Sequence, residues 1–398
     1  MSAMEVGPST PAAVEFLESE AGAVPELAAA YGELAQLYTS KLWHQLTSKL
    51  EEVVRLELFA AAGGSARLVA LYEKFIADVE DKLNLLRLAR IVVAIAERCT
   101  APGEAIAFLD PMVAKMSEQK NPEQPTVFLQ MHIAQLHLAA GEAGQCKELV
   151  EEALTKLGEM TEVDPSVSAA VYGAAAQLAK AKQDVAGFYK NALLHLAYTS
   201  VDALPVSTQR DFAVDLSLAA LLGENVFNFA ELIAHPVMRS LAGTSFAWLE
   251  ELLHCFNRGD LQQYDELCYK YADQLNAQPA LVQNERKLRE KITILALMEI
   301  IFHLPADDRT IELTTIAEKT KLPLDGVEFL LMKTLSVHLI EGIIDQVEGT
   351  VRVSWVQPRV LLMPQIEELK GRLQGWKTKV HSALVTVEGE SPELLGVA

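Results

Sequence analysis

The sequence predicts a mainly α protein: a helical-repeat, tetratricopeptide-like solenoid, followed by a winged-helix subdomain and one C-terminal helix. Three observations lead to this prediction. Apolar residues recur every three to five positions through most of the chain, as in amphipathic helices. Short turns that contain Gly or Asp recur between predicted helices of about fifteen residues, which is typical of stacked repeats. Only residues 289–360 include stretches with the period of two that indicates strands.

The composition indicates a folded, acidic protein with a large core. Of the 398 residues, 50% are hydrophobic and the mean hydropathy is slightly positive, which excludes a disordered chain. Aromatic residues make up 7%. The abundant Ala and Leu favour helix over sheet. The 34 basic and 54 acidic residues give a formal charge of −20, which disfavours binding to nucleic acid and to anionic membranes. We expect neither a signal peptide nor a membrane span, because the N-terminus has no basic region and no apolar run reaches about 18 residues.

The N-terminal half predicts helices in pairs. Residues 1–25 are expected to form a flexible lead with one weak helix that begins near Ala12. The spacing over 27–59 predicts a pair of amphipathic helices, in which Trp43 belongs to the core. A longer pattern over 68–99 and a helix from Pro102 to about residue 116 predict a helical hairpin.

Three more hairpins follow, with short turns between their helices. We predict them over 127–140 with 145–157, 167–181 with 185–198, and 246–256 with 261–275. Two helices over 216–222 and 228–232 lie between the last two hairpins and end at Gly223 and at His235-Pro236. Small residues such as Ala174 and Ala175 would let stacked helices approach closely. An irregular helical bundle is the alternative to a stacked solenoid.

The first half of the winged helix is predicted from residues 291–325. Residues 291–303 are apolar on nearly every side, which indicates a helix buried all round that ends near Pro305 and Asp307-Asp308. Residues 310–313 alternate as a short edge strand does. Thr314 or Thr315 with Glu318 predicts a capped helix to Lys319, and a turn at 323–325 follows it.

The second half of the winged helix is predicted to be a helix followed by a β-hairpin. The helix is predicted over 324–338. The strands are predicted over 343–347 and 351–355, around a turn at 348–350. In the second strand, Val351, Val353 and Trp355 alternate with polar residues. The order helix, strand, helix, helix, hairpin is that of a winged helix.

The second helix of such a motif commonly lies in the DNA major groove. Here that helix offers Asp325 and Glu328 against a single Lys333, whereas phosphate and base contacts need several basic or amide side chains. It also exposes Phe329 and Met332 off its core face. The sequence therefore favours a protein partner, and a winged-helix regulator that binds nucleic acid is the weaker alternative.

The predicted C-terminal helix carries a narrow apolar seam. Its positions step by three, four, three and four residues: Ile366, Leu369, Leu373, Trp376 and Val380. One helix cannot bury such a stripe by itself, so we expect it to pack with helices of other subunits. The alternative is that it folds back on the winged helix of its own chain.

No motif in the sequence predicts catalysis. GxxxxGK[ST], GxGxxG and GxSxG are absent, and the nine histidines form neither HxH nor HExxH. The four cysteines have no CxxC spacing and are expected to be buried thiols. Acidic pairs such as Glu51-Glu52 are typical of solvated helix faces. We therefore predict no enzyme activity, no metal and no cofactor.

Three segments, with the winged helix, carry a family resemblance. They are LYTSKLWHQLT at 37–47, LGENVFNF at 222–229 with HPV at 235–237, and WVQPRVL at 355–361. Together they resemble the PCI-domain subunits of the lid of the 26S proteasome regulatory particle, over nearly the whole chain. The match weakens in the first thirty residues and after Lys379.

The resemblance implies a non-catalytic scaffold in a hetero-oligomer that supports ubiquitin-dependent protein degradation in the cytoplasm and nucleus. It implies as partners other PCI subunits, the MPN-type deubiquitinase subunits and a ubiquitin-receptor subunit. The same scaffold in the signalosome or in the translation initiation factor is an alternative.

These interpretations divide the chain into a lead (1–25), a helical-repeat arm (26–200), a PCI domain (201–362), a bundle helix (363–387) and a flexible tail (388–398). Within the PCI domain we expect a helical part to residue 285 and the winged helix from 286. The interface candidates are the outer seam and hairpin side chains: Ile343, Ile344, Val351, Val353, Trp355, Ile366, Leu369, Leu373, Trp376 and Val380.

Overall fold

The computed structural model describes residues 12–23, 26–60, 64–99, 101–304, 309–360 and 363–390. The chain forms two compact units that divide between Ser200 and Val201. Helices dominate both units, and the one sheet in the described residues belongs to the C-terminal unit. The predicted class, helical repeats followed by a winged helix and a C-terminal helix, is confirmed.

The N-terminal unit is a succession of helices. They are α1 (Ala12–Ala23), α2 (Ala28–Thr39), α3 (Trp43–Val54), α4 (Gly64–Leu71), α5 (Ala77–Val79), α6 (Leu85–Ala96), α7 (Pro102–Ser117), α8 (Glu123–Ala139), α9 (Ala143–Glu159), α10 (Pro165–Ala181) and α11 (Val185–Tyr198). A π-helical turn, Tyr72–Ile76, joins α4 to α5.

The helices of this unit stack as pairs. Helix α8 packs against α7 and α9, its neighbours in sequence, and also against α6 and α10, which lie two positions away. Helices α10 and α11 approach closely because the buried positions on α10 include Ala174 and Ala175. Trp43 packs against the core, as predicted, with its ring 6.1 Å from that of Tyr38. This arrangement is that of a helical-repeat stack.

Two predictions for this unit were wrong. The pattern over 68–99 is not continuous, because the chain turns at Glu80–Lys82 and Asn84 starts a new helix. The Asn84 side chain accepts hydrogen bonds from the N–H groups of Leu86 and Arg87, at 3.0 and 3.2 Å. In addition, the helix predicted to begin near Ala12 does begin there, as α1, but it buries Val14 and Leu17, so residues 12–23 are folded into the unit and do not belong to a flexible lead.

The C-terminal unit begins with a helical part. Its helices are α12 (Val206–Leu222), α13 (Ala230–Ala234), α14 (Ala247–Arg258), α15 (Leu261–Lys270), α16 (Ala272–Asn276), α17 (Pro279–Gln283) and α18 (Glu285–Phe302). The helix predicted over 261–275 is broken at Tyr271, where φ is −111° and ψ is 27°. Gly259, at φ +65°, ends α14 in the left-handed region, and a Cβ there would meet the backbone of Ala296 at 2.7 Å.

The winged helix follows in the predicted order. After α18 come β1 (Thr310–Glu312), α19 (Leu313–Thr320), α20 (Leu324–Ser336), β2 (Ile340–Asp345) and β3 (Thr350–Val356). The strands form an antiparallel sheet in the order β1-β3-β2, so β1 and β2 are its edges. The long helix α21 (Met363–Glu390) ends the described chain.

Several local predictions for the winged helix need correction. Helix α19 begins at Leu313, and no side chain caps it; the Thr314 hydroxyl instead donates to the Glu312 carboxylate at 3.1 Å. Val347, predicted in a strand, lies in the turn and is 97% exposed. Phe302 is 38% exposed, so α18 is not buried all round at its end. The predicted stop signals at 305 and 307–308 lie outside the described residues.

The hairpin contains a β-bulge that the sequence did not predict. Glu341 pairs with Trp355, but Gly342 pairs with Val353, so Ser354 is an extra residue in β3. Because a bulge reverses the alternation of side chains, Val356 is buried beyond it and Trp355 points outward, at 39% exposure. The predicted alternation of Val351, Val353 and Trp355 therefore holds only for the two valines.

Candidate protein-interaction surfaces

The hairpin divides its five candidate residues between the core and the surface. Val351 and Val353 are buried in the winged-helix core, and Ile344 is partly buried against it. Ile343, opposite Arg352 in the register, is 74% exposed, and Trp355 is exposed by the bulge. Only Ile343 and Trp355 therefore offer large apolar side chains to a partner.

The backbone of β2 adds to this surface. Strand β2 pairs with β3 along one side only, so the other side of this six-residue strand is an edge. An edge strand presents N–H and C=O groups that a strand of another chain can pair with. The exposed Ile343 lies in the middle of that strand. This combination can provide main-chain hydrogen bonds and one apolar anchor.

The outer face of α20 is apolar with an acidic border. Phe329 and Met332 are 67% and 62% exposed, as the sequence predicted. The Glu328 carboxylate accepts a hydrogen bond from the side chain of Gln346 at 2.6 Å, which holds the hairpin turn beside this face. Lys333 is ion-paired with Glu290. Such a face is poorly suited to phosphate and well suited to a protein surface.

A buried lysine joins the helical part to the winged helix. Lys291, on α18, is 6% exposed, and its ammonium donates hydrogen bonds to the carbonyl oxygens of Ala220, Leu221 and Gly223, at 2.6, 3.3 and 2.8 Å. These are carbonyls at the end of α12, which have no partner within that helix. Burial lowers the pKa of Lys291 to about 7.

Lys291 borders a pocket of about 260 Å³ between the end of α12, α18 and α20. The LGENVFNF segment lines it, with Phe227 at 5.6 Å from the Lys291 nitrogen to the ring centre. Lys287 pairs with Glu224 at 2.9 Å on the rim. The positive charges of this pocket are thus engaged by backbone carbonyls and by glutamates. The arrangement fixes α18 on α12 and offers no free nucleophile.

Arg359 anchors the chain after β3. Its Nη1 donates to the Glu299 carboxylate at 2.9 Å and to the Asn257 carbonyl at 3.4 Å, and its guanidinium carbon lies 5.5 Å from the centre of the Phe302 ring. Burial lowers the pKa of Arg359, although Glu299 acts in the opposite direction. The WVQPRVL segment is therefore attached to the end of α18 shortly before α21 begins.

The sequence reasoning assigned no role to Lys291 or Arg359. A signal for the first was available, since Lys291 is a cation within an otherwise apolar helix face and needs carbonyl or carboxylate partners. The partner carbonyls lie about seventy positions away in sequence, so the spacing could not identify them.

Helix α21 keeps its seam at the surface. All five predicted seam residues are exposed: Ile366 at 43%, Leu369 at 46%, Leu373 at 57%, Trp376 at 67% and Val380 at 49%. The exposures agree with the prediction that this chain leaves the stripe uncovered. A helix folded back with its seam on the winged helix is not what the structure contains.

The described residues offer little to catalysis. They contain no group of three or more His, Cys, Asp or Glu residues that could hold a metal ion. Burial raises the pKa of all four thiols, which disfavours the reactive thiolate. The Glu51 carboxylate is already occupied, because both of its oxygens accept hydrogen bonds from Arg87, at 2.9 and 2.7 Å. Within the same residues, no helix combines the length and the apolar character needed to cross a bilayer.

The fold and its exposed surfaces define a helical-repeat protein of the PCI class. The defining features are the stacked helices, the winged helix with an exposed edge strand, and the terminal helix with an exposed apolar seam. Comparison with family models agrees, because residues 30–253 match PSD13 N-terminal repeats and residues 261–355 match the PCI domain. The chain is 50% identical to 26S proteasome non-ATPase regulatory subunit 13 homolog B of Arabidopsis thaliana, over 96% of this chain and 99% of that protein. The chain therefore belongs to the family of 26S proteasome non-ATPase regulatory subunit 13.

More distant relatives include another proteasome regulatory subunit and a subunit of a translation initiation factor. The chain is 29% identical to 26S proteasome regulatory subunit RPN9 of Saccharomyces cerevisiae, over 90% of this chain and 91% of that protein. Subunit M of eukaryotic translation initiation factor 3 from Aspergillus fumigatus is also 29% identical, but over only 46% of this chain and 38% of that protein. The similarity to the initiation factor is thus partial, whereas the similarity to the proteasome subunits covers nearly the full length.

Proposed function

We propose that this protein is a non-catalytic scaffold subunit of the lid of the 26S proteasome and supports ubiquitin-dependent protein degradation. The observation that carries the proposal is the match to proteasome regulatory subunits over 96% of the chain. In this proposal residues 26–200 form the arm, 201–362 the PCI domain, and 363–387 the bundle helix. The exposed apolar positions on β2, α20 and α21 support a role in assembly.

The winged helix makes lateral contacts with the PCI domain of a neighbouring subunit in this proposal. The edge of β2 can extend its sheet with a strand of the neighbour, and Ile343 and Trp355 supply apolar contacts beside that edge. Since a three-stranded sheet has few backbone partners of its own, added strands would satisfy the free N–H and C=O groups.

Helix α21 packs into a bundle with helices of other subunits in this proposal. Burial of a large apolar side chain stabilises by roughly 1.5 to 3 kcal/mol, so five of them supply several kcal/mol after the entropy of ordering is subtracted. That contribution is large enough to decide whether the subunit is incorporated.

The partners in this proposal are other PCI subunits of the lid, the MPN-type deubiquitinase subunits and the ubiquitin-receptor subunit. The protein acts without a cofactor, and it works in the cytoplasm and the nucleus. The alternative scaffold roles in the signalosome or the translation initiation factor predict different companions in a purified complex.

Affinity purification of the tagged full-length chain, followed by mass spectrometry of the native complex, tests the proposal. We expect proteasome lid subunits in near-stoichiometric amounts. Recovery of the chain with initiation-factor or signalosome subunits alone would overturn it.

A chain that ends at residue 362 tests the bundle helix. Because the seam of α21 is exposed, removal of the helix should leave the melting temperature of the rest nearly unchanged while incorporation into the complex is lost. A large drop in the stability of the free subunit with assembly intact would show that α21 serves the fold of its own chain.

A further inference from the structure

The seam of α21 is longer than the five predicted positions. After Val380 the three-and-four stepping continues through Ala383 and Val387, and both lie in the exposed surface of the helix. From Ile366 to Val387 the seam covers three heptads, or about 30 Å of helix. In heptad terms Ile366, Leu373, Val380 and Val387 occupy position a, and Leu369, Trp376 and Ala383 occupy position d.

The positions that flank this seam in its first two heptads are uniformly basic. Positions e and g lie on either side of the a/d seam and contact the partner helix in a coiled coil. Between Leu369, the first d position, and Val380, the third a position, every e and g position carries a cation. These cations are Lys370 and Lys377 at e, and Arg372 and Lys379 at g. All four side chains are exposed.

This charge pattern contrasts with the rest of the chain. Between Leu369 and Val387 there is no acidic residue, in a protein whose formal charge is −20. Glu367 and Glu388 lie at outer position b and Glu368 at outer position c, and Glu390, the last residue of α21, lies beyond the seam. Arg372 pairs with Glu368 at 2.6 Å, but both are highly exposed, so this pair can be exchanged for a pair with a partner.

We infer that α21 docks on a partner helix whose own seam is flanked by acidic residues. This inference rests on the proposed scaffold function and specifies the chemistry of the partner. An apolar seam without charge matching would accept many helices, whereas four cations beside it favour a partner with Glu or Asp at the facing e and g positions. The same cations oppose a partner with basic flanks.

Two other occupants fit the pattern less well. A second copy of this chain, paired in parallel, would place Lys and Arg against Lys and Arg at the flanking positions of the first two heptads, which is destabilising. An anionic membrane favours a broad apolar face with basic borders, but the α21 seam is a narrow a/d stripe where its borders are basic and widens only beyond them, at Leu384 and Val385. The whole chain also repels anionic surfaces. The acidic-flanked helix is the partner that satisfies both the seam and its borders.

Binding of synthetic helices to the full-length chain tests the inference. The acidic probe is a labelled helix of 28 residues, the length of α21, with Ile at a, Leu at d and Glu at e and g. The basic probe is identical except for Lys at e and g. In fluorescence anisotropy at about 0.05 M salt we expect the acidic probe to bind at least tenfold more tightly, and we expect about 0.5 M salt to reduce this preference.

Two variants with equal changes of net charge identify the surface. The flank variant replaces the four cations with glutamine: K370Q, R372Q, K377Q and K379Q. The control variant adds four negative charges at positions away from the seam: Q374E, T378E, H381E and S382E. We expect the flank variant to lose the preference for the acidic probe and the control variant to keep most of it.

The outcomes separate this inference from the proposed function. Equal binding of both probes, a preference for the basic probe, or equal losses in the two variants would overturn the inference. So would self-association of the chain through α21, or binding to vesicles with anionic lipids that exceeds binding to the acidic probe. If the chain still requires α21 to enter the complex in any of these cases, the scaffold function stands and only the partner chemistry is wrong.

Discussion

Lys291 illustrates how one buried side chain can hold two parts of the C-terminal unit together. Its ammonium supplies the hydrogen-bond donors that the carbonyls at the end of α12 lack within their own helix, and the whole residue is only 6% exposed. The Phe229 ring lies 5.1 Å from the nitrogen and adds a cation–π contact. The residue therefore couples the helical part to α18, on which the winged helix is built.

Replacement of Lys291 with Met should destabilise the C-terminal unit. The apolar stem is kept, but the carbonyls of Ala220 and Leu221 lose their donor, whereas that of Gly223 still accepts from the Val226 N–H at 3.4 Å. Buried unsatisfied acceptors cost about 1 to 3 kcal/mol each, offset in part by the avoided burial of a cation. We expect a net loss of about 2 kcal/mol, measured by urea unfolding. K287M on the same helix is the control, since Lys287 is exposed. Unchanged stability of K291M would mean that burial of the ammonium costs as much as its hydrogen bonds return.

Because of His132, we expect the N-terminal unit to become less stable as the pH falls. Its ring packs on Phe128 with ring centres 4.9 Å apart, and burial lowers the pKa of His132 to about 4. The unfolded chain binds a proton on this residue near pH 6.5, and the folded chain does not, so stability falls as the pH drops from about 6.5 towards 4. The loss is at most about 3 kcal/mol, and less because part of the side chain reaches solvent.

The comparison of His132→Gln with the original chain isolates this effect. We expect the difference in unfolding free energy between pH 7 and pH 5 to become smaller in H132Q, because glutamine does not titrate. H381Q is the control, since His381 lies on the exposed α21. An equal pH dependence in all three proteins would show that His132 is protonated as easily in the folded chain as in the unfolded one.

At the scale of elements, we predict that assembly depends on Ile343, because this hairpin residue points outward. I343D should prevent incorporation into the complex because an ion in the contact would lose its hydration, while the winged helix stays folded. The measurement is co-purification with lid subunits together with helix content by circular dichroism. V206D is a matched control, because Val206 is 75% exposed and lies on α12, away from the sheet. Normal incorporation of I343D would exclude this face from the contact.

The same element shows why V353D is not an equivalent test. Val353 is 4% exposed and belongs to the core of the winged helix, so a charge there would disrupt the fold itself. The bulge at Ser354 is responsible for the division between inward and outward residues at the end of β3. A loss of assembly in V353D would therefore say nothing about the partner.

At the scale of the whole molecule, the charge distribution predicts no affinity for DNA. The formal charge is −20, and the α20 face that would meet a groove carries Asp325 and Glu328. We expect no binding of the full chain to a random duplex of about 20 base pairs at roughly 0.15 M salt. A mobility shift at micromolar protein that weakens with added salt would contradict this prediction.

The sequence by itself determined the class of fold, because hydrophobic periodicity is a local property. Helices at 143–159, 165–181 and 185–198 follow from their apolar spacing and turn residues, and the change to a period of two locates the hairpin. The sequence also determined that α21 carries an apolar seam, since the spacing of its apolar residues by three and four positions can be read without coordinates. The Asn84 cap and the break within 68–99 were missed because the apolar pattern passes through that turn without interruption.

Only the tertiary structure decided which hairpin residues are free for a partner and which cations are buried. Val351 and Trp355 have similar sequence signals, but the pairing of Gly342 with Val353 places one inside and one outside. Lys291 donates to the carbonyls of Ala220, Leu221 and Gly223, and Nη1 of Arg359 donates to groups on α14 and α18. Such contacts join segments far apart in the chain, and their energies depend on distance and burial, which periodicity does not encode.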